Sequence, residues 1–168
     1  MDTIVIIQAR MQSTRLPGKV ISSFDNGLNM IEMQLNSISK FINKNYVYIA
    51  TTKNIEDNII EEKFSSVCNV YRGSMDNVLS RFVNIIKKTN AKHVIRIASD
   101  NPFIFFEGIK YLLNKHKSRK SDYTTFMLNE KPSMLLPTGL FSEIVSAKSL
   151  LDIENSSTPL EREHVTFA

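Results

Sequence analysis

The run Ile6–Lys19, IIQARMQSTRLPGK, places Arg10, Arg15 and Lys19 in one short stretch that contains no acid. Ser13 and Thr14 add hydroxyl donors, and Pro17-Gly18 lets the chain turn sharply. Cations, hydroxyls and free backbone N–H groups are what a polyphosphate needs from a protein. A nucleoside triphosphate carries about four negative charges, which three loop cations and one divalent metal roughly balance. A solvated basic loop would share this composition. The absence of any acid, directly after an apolar run, favours phosphate. The stretch is neither G-x-x-x-x-G-K-[ST] nor G-x-G-x-x-G, so the two commonest phosphate loops are set aside.

Three other stretches carry polar chemistry. Asp100, in Ser99-Asp100-Asn101-Pro102, follows the apolar VIRIA. A carboxylate there could hold Mg²⁺, which takes one or two carboxylates together with phosphate oxygens. It could equally be a helix N-cap or an Asx-turn before Pro102. Arg72-Gly73-Ser74 offers a further cation and hydroxyl, although Ser74 capping the next helix accounts for it without function. Glu161-Arg162-Glu163-His164 is either a solvated helical turn or a polar wall. His93 and His116 read as structural or exposed.

The elements that must position these groups follow from periodicity. Thr3–Ile7, Tyr46–Ala50, Cys68–Tyr71 and His93–Ala98 are short, nearly continuous apolar runs, as strands buried on both faces of a parallel sheet read. Helical spacing joins Met30, Met33, Leu35, Ile38 and Ile42. It also joins Ile55, Ile59, Ile60 and Phe64, with Asn54 as N-cap and Asp57 in the first turn. A third helix holds Val78, Leu79, Phe82, Ile85 and Ile86, capped by Ser74 or Asp76. A fourth holds Ile109, Leu112 and Leu113. Strand–helix alternation predicts a three-layer α/β domain with a mostly parallel central sheet. Ligands of such sheets bind at the carboxyl ends of the strands, where the loops above fall. Beyond Asp122, Tyr123–Phe126 and Leu140–Ser146 read as strands around a loop, Lys131–Gly139. A short helix over Ala147–Ile153 and a polar turn lead to PLEREHVTFA.

Bulk composition narrows the classes. The 168 residues suit one domain, 42% hydrophobic and 23% charged, with net charge +4. The positive charge is spread along the chain, and its densest run, Lys110–Lys120, reads as a solvated helix face or loop. It is not interleaved with an aromatic platform, so no nucleic-acid partner is expected. No apolar run approaches the roughly 18 residues of a membrane span, so no membrane partner is expected either. Cys68, the one cysteine, reads as a buried core thiol, and a cytoplasmic location is the simplest expectation.

Five blocks now stand in order: QARMxSxRLPGK, ATT with Asn54 and Asp57, RGS-x-D-x-VL-x-RF, Ser-Asp-x-Pro and REHVT. Together they resemble the cytidylyltransferase family, in its spore-coat polysaccharide biosynthesis (SpsF-like) branch, related to the CMP-sugar synthetases. The resemblance spans Gln8 to Thr166. It implies a nucleotide-diphospho-sugar transferase-like (Rossmann-like) fold over a single domain, 1–168. It implies a metal-dependent nucleotidyltransferase with Mg²⁺ as cofactor, acting for surface polysaccharide biosynthesis. The substrates would be CTP or another NTP and a sugar acid or sugar phosphate, with release of pyrophosphate. A homodimer is the expected assembly.

Carried over position by position, Gln8, Ala9, Arg10, Ser13, Arg15, Lys19, Arg72 and Ser74 would contact the nucleotide. Arg15, Lys19 and Asp100 would act in catalysis, with Asp100 as metal ligand. Asp76, Glu143, Arg162, Glu163 and His164 would face the acceptor. The chain departs from the family pattern at Gln12, where a glycine is usual, at Ser99 and Asn101, and at Phe141, where an aspartate is usual. It is also expected to lack the family's C-terminal segment with its late aspartate. Two alternatives stay open: a nucleotide-binding relative without turnover, and a glycosyltransferase of similar fold. The latter typically carries an Asp-x-Asp motif, absent here.

Overall fold

The computed structural model describes residues 2–13, 16–101, 103–136 and 139–166. Its central sheet has six strands: β1 (Thr3–Gln8), β4 (Val47–Thr52), β5 (Asn69–Gly73), β6 (His93–Ala98), β7 (Tyr123–Thr124) and β10 (Glu143–Ser146). Their spatial order is β5-β4-β1-β6-β10-β7. β5, β4, β1 and β6 run parallel, while β10 pairs antiparallel with both β6 and β7. The sheet is thus mostly parallel, as expected from the runs of Val and Ile. Strand order reverses between β1 and β6, so the loops leaving these neighbours diverge and open a crevice.

Both faces of the sheet are covered. Val5, Ile7, Ile49, Ile95 and Ile97 face α1 (Met30–Ile38), α2 (Asn58–Phe64) and α4 (Phe106–Arg119). Ile4, Ile6 and Val94 face α3 (Val78–Thr89) and α5 (Ala147–Asp152), with Val165 in the same core. The last helix, α6 (Pro159–His164), starts with a full capping box between Thr158 and Glu161 and has proline in its first turn.

Several sequence expectations change in detail. Neither Ser74 nor Asp76 caps α3: Asn77 does, accepting from Ser80 N at 2.8 Å. Asn54 precedes a 3₁₀ turn, Ile55–Asp57, and makes no side-chain cap; α2 begins only at Asn58, and Ile55 is exposed. The span Tyr123–Phe126 shortens to a two-residue strand, and Leu140–Ser146 to four residues. Two hairpins were not expected. β2 (Ser23–Asp25) and β3 (Leu28–Asn29) turn through Asn26 and Gly27, both at positive φ. β8 (Met127–Leu128) and β9 (Lys131–Pro132) turn through Asn129 and Glu130, so the second strand of this hairpin takes up the start of the expected loop Lys131–Gly139.

Cys68 is buried, and desolvation pushes its thiol up to about 11, which keeps it protonated. Among the described residues no helix is long and apolar enough to cross a membrane.

Candidate functional site

The loop after β1 begins as part of the scaffold. Ala9 N donates to Ala50 O on β4, and Met11 N donates to Asp57 Oδ1 at 2.7 Å. Asp57 is buried and also accepts from Thr52 N at 3.3 Å and from Thr52 Oγ1. One carboxylate therefore holds the loops after β1 and β4 together. Farther on, Gly18 N returns to Met11 O at 2.8 Å, closing the loop at the Pro17-Gly18 turn. Gly18 has φ +74°, a conformation that other residues adopt only with strain.

Across the β1/β6 reversal, Lys19 Nζ meets Asp100 Oδ2 at 2.7 Å. Asp100 lies in the turn directly after β6, five residues before Phe105, the residue at the cap of α4. It is not a helix cap. Its loop is held from below by Gln34 on α1, whose amide donates to Ala98 O (2.9 Å) and Asn101 O (3.0 Å).

Lys19 and Asp100 share a cavity of about 300 Å³ with Gln8, Ala9, Arg10, Ser13, Glu163 and His164. Arg10 stands 4.0 Å from Glu163, with both side chains substantially exposed, so this pair is weak. An adjoining, more open depression of about 450 Å³ shares Arg10, Gln12 and Ser13 and adds the apolar Met11, Pro17 and Met75. Gln12 faces both spaces. Arg15 lies outside the described residues.

The fold does not bring Arg72, Ser74 and Asp76 to the cavity wall. Arg72 donates to Thr52 O (2.9 Å) and Asn54 O (2.8 Å) and pairs with Glu61 at 3.1 Å, so it braces the loop after β4. Ser74 accepts from Asn77 N at 3.1 Å, and Asp76 is exposed near the entrance to α3. Arg162 turns away as well, with Nε donating to Ser157 Oγ at 3.3 Å.

Glu143 belongs to a buried network. Arg96 Nη1 pairs with Glu143 Oε2 at 2.8 Å, and Arg96 Nε donates to Gln8 Oε1 at 3.1 Å. Thr166 Oγ1 donates to Glu143 Oε2 at 2.7 Å. These groups span β1, β6, β10 and the chain after α6. Arg96 and Glu143 line a second cavity of about 200 Å³ with Asn101, Ser133, Phe141 and His164. Phe141 packs against Phe126, ring centroids 5.3 Å apart. Gly139 admits Asn101 to this wall: a Cβ there would lie 2.6 Å from Asn101 Oδ1. His164 lines both cavities.

Three functional placements were missed from sequence. Arg96 interrupts an apolar strand, Gln34 sits among Ile31, Leu35 and Ile38 on the buried face of α1, and Arg81 sits among Val78, Phe82 and Ile85 on α3. In each, a polar side chain at a core-facing position is the signal that could have found it.

Comparison with known proteins places these features in context. Residues 4–168 match the family model described as cytidylyltransferase. The chain is 35% identical over 173 residues to the spore coat polysaccharide biosynthesis protein SpsF of Bacillus subtilis, covering 99% of this chain and 69% of that protein. It is 27% identical over 171 residues to the 3-deoxy-manno-octulosonate cytidylyltransferase of Rickettsia bellii, with 99% and 69% coverage. Among solved structures, a cytidylyltransferase from Leptospira borgpetersenii superposes with a TM-score of 0.82 at 25% identity, over 99% of this chain and 70% of that one.

Proposed function

Since the chain belongs to the cytidylyltransferase family, we propose that it transfers a cytidylyl group from CTP to a sugar acid or sugar phosphate, releasing pyrophosphate, for surface polysaccharide synthesis. The observation that carries this reading is the meeting of Lys19 and Asp100 across the β1/β6 reversal, in a cavity that Arg10 and Ser13 also line. The names of the Bacillus and Rickettsia relatives support the substrate class.

In this reading the triphosphate lies along the loop after β1. Lys19, Arg10 and Arg15 offset its charge, and Ser13 donates to a phosphate oxygen. The apolar depression beside Met11, Pro17 and Met75 suits a flat base. The acceptor occupies the cavity of Arg96, Asn101 and Glu143. Its oxygen attacks the α-phosphorus in line, the bond to the bridging oxygen breaks, and pyrophosphate departs. Catalysis is chiefly positioning and charge stabilisation. A hydroxyl acceptor must also lose a proton, and in this reading His164, which lines both cavities, takes it.

A metal fits this donor set in one manner. No group of three or more His, Cys, Asp or Glu among the described residues could hold an ion alone. Asp100, at the cavity wall, would hold Mg²⁺ jointly with phosphate oxygens, the usual mode for this ion. Bound there, Mg²⁺ would neutralise phosphate charge. Lys19 would then exchange its Asp100 partner for phosphate.

Homodimerisation and a cytoplasmic location complete the proposal. Light scattering at micromolar concentration tests the first: a mass of twice 19.2 kDa is expected.

The decisive experiment measures pyrophosphate release with CTP, Mg²⁺ and a panel of sugar acids and sugar phosphates. Release with at least one acceptor, faster with CTP than with other NTPs, is expected. Silence across the panel overturns the transferase reading. A nucleotide-binding relative without turnover is the second reading, favoured by Phe141, which packs on Phe126 where the family pattern has an aspartate. CTP binding in calorimetry without turnover would select it.

A further inference from the structure

Arg81 is a residue the cavity does not need for its own architecture. It lies in the first turn of α3, only 2% exposed, and lines the cavity together with Arg10 and Ser13. Nη1 donates to Ala50 O at 3.0 Å, but Nε has no partner. Among the described residues Arg81 makes no ion pair. The carboxylate whose field it senses, Asp57, is committed to Met11 and Thr52. Burial first, and Arg10 second, push the guanidinium down to about 10, so it is still charged at neutral pH.

A buried cation with an unpartnered N–H is costly, and proteins ordinarily match it. The fold nonetheless makes room for it. A Cβ at Gly73 would lie 2.5 Å from Arg81 Cγ, so the glycine at the end of β5 clears the path of the arginine stem. The bond to Ala50 does not account for the residue either. Ala50 O already accepts from Ala9 N at 3.1 Å and would stay satisfied without Arg81.

We propose that Arg81 is an anion-receiving residue of the cavity, which completes its own hydrogen bonding and charge balance only when a phosphate group of the substrate is bound. The proposal rests on the nucleotide-binding reading above and adds a buried cation to the exposed ones of the loop. The two kinds of cation differ in consequence. Arg10 and Lys19 can exchange water or carboxylate for phosphate, whereas Arg81 has no such exchange available. Its charge is therefore in place before binding, while Nε, which has almost no solvent-accessible surface, meets a phosphate oxygen through a small shift of the side chain.

The test uses the intact chain and inorganic tripolyphosphate, followed by CTP. In a ¹⁵N–¹H spectrum of the wild type, the Arg81 Nε–H signal, assigned through its own side chain, is expected to shift as tripolyphosphate saturates the site. Calorimetry is expected to show tripolyphosphate and CTP binding weakened about 10- to 100-fold in Arg81→Met. The loss should be smaller in Arg81→Lys, which keeps the charge. Wild-type binding with an unmoved Nε signal overturns the proposal while leaving the nucleotide reading intact. Unchanged affinity in a folded Arg81→Met variant does the same. Failure of the wild type to bind either ligand overturns both. If Arg81→Met does not fold, the wild-type signal alone decides.

Discussion

Two arginines flank the first strand, Arg81 buried and Arg96 mostly buried, and they are opposites. Arg96, on β6, pairs with Glu143 at 2.8 Å and donates to Gln8 and to Thr166, which itself donates to Glu143. Arg81, on α3, has one carbonyl partner and an orphaned Nε. The first charge is matched by the fold itself and ties three strands to the chain after α6. The second is left unmatched beside a cavity rimmed by further cations. A buried charge therefore does not have one meaning: its partners decide whether it is a strut or a receptor.

The largest expected effect breaks the strut. Arg96→Met leaves Glu143 buried without its counter-ion, which costs about 3–5 kcal/mol and lowers the melting temperature by roughly 10 °C. Differential scanning fluorimetry at pH 7.5 checks this. Arg81→Met is expected to leave the melting temperature unchanged or raised, because it removes an uncompensated cation and orphans no acceptor. If both variants fell equally, the contrast between the two arginines would be lost.

Next in size is Lys19→Ala, with CTP affinity weakened about 10- to 100-fold in calorimetry, a loss of roughly 1.5–3 kcal/mol. Its stability should change by less than about 1 kcal/mol, since the pair with Asp100 is partly exposed. Exposed cations of the rim thus serve binding, and the buried one of the strut serves stability.

The opposite end of the sheet sharpens the contrast with a pH test. There Asp2 pairs with Lys117 at 2.8 Å, which holds its carboxyl down to about 2. His116 is fully buried against the His93 ring, and burial, with a smaller push from His93, takes it down to about 4. His93 is lowered in the same sense, chiefly by burial. The unfolded chain takes a proton near pH 6.5, the folded chain only near 4. Stability is therefore full above about 6.5 and falls as pH drops towards 4, because the unfolded state binds more protons. Melts between pH 7.5 and 4.5 should show this slope, and His116→Gln should flatten it.

The smallest effect is the control: Lys87→Ala, which removes an exposed pair with Glu154, should change stability by under about 1 kcal/mol.

The parallel core was legible because Val and Ile runs have one stable environment, a strand covered on both faces. His93–Ala98 matched residue for residue. That Lys19 and Asp100 could meet was legible because Asp100 follows one such strand and Lys19 lies in the loop leaving its neighbour. What stayed hidden depended on packing between distant segments. Arg72 looked like a ligand for phosphate until the loop after β4 folded back onto it. Glu143 was expected to face the acceptor, but its ion pair with Arg96, at the wall of the same cavity, follows only from the sheet order. The β2–β3 turn was readable in principle, since Asn26-Gly27 is a strong hairpin signal, here with Phe24 and Leu28 close on either side. The other hairpin, through Asn129 and Glu130, carries no glycine and gives no such notice.

Asp57 has a temporal consequence. Because Met11 N donates to the buried Asp57 carboxylate, which is itself tied to Thr52 on β4, the Met11 amide is held by the scaffold and should exchange with solvent slowly. In heavy water this residue should keep the slow clock of the central strands, although it belongs to the loop. The wall at Met11 is thus fixed before any ligand arrives, and adjustment on binding is left to the residues beyond it.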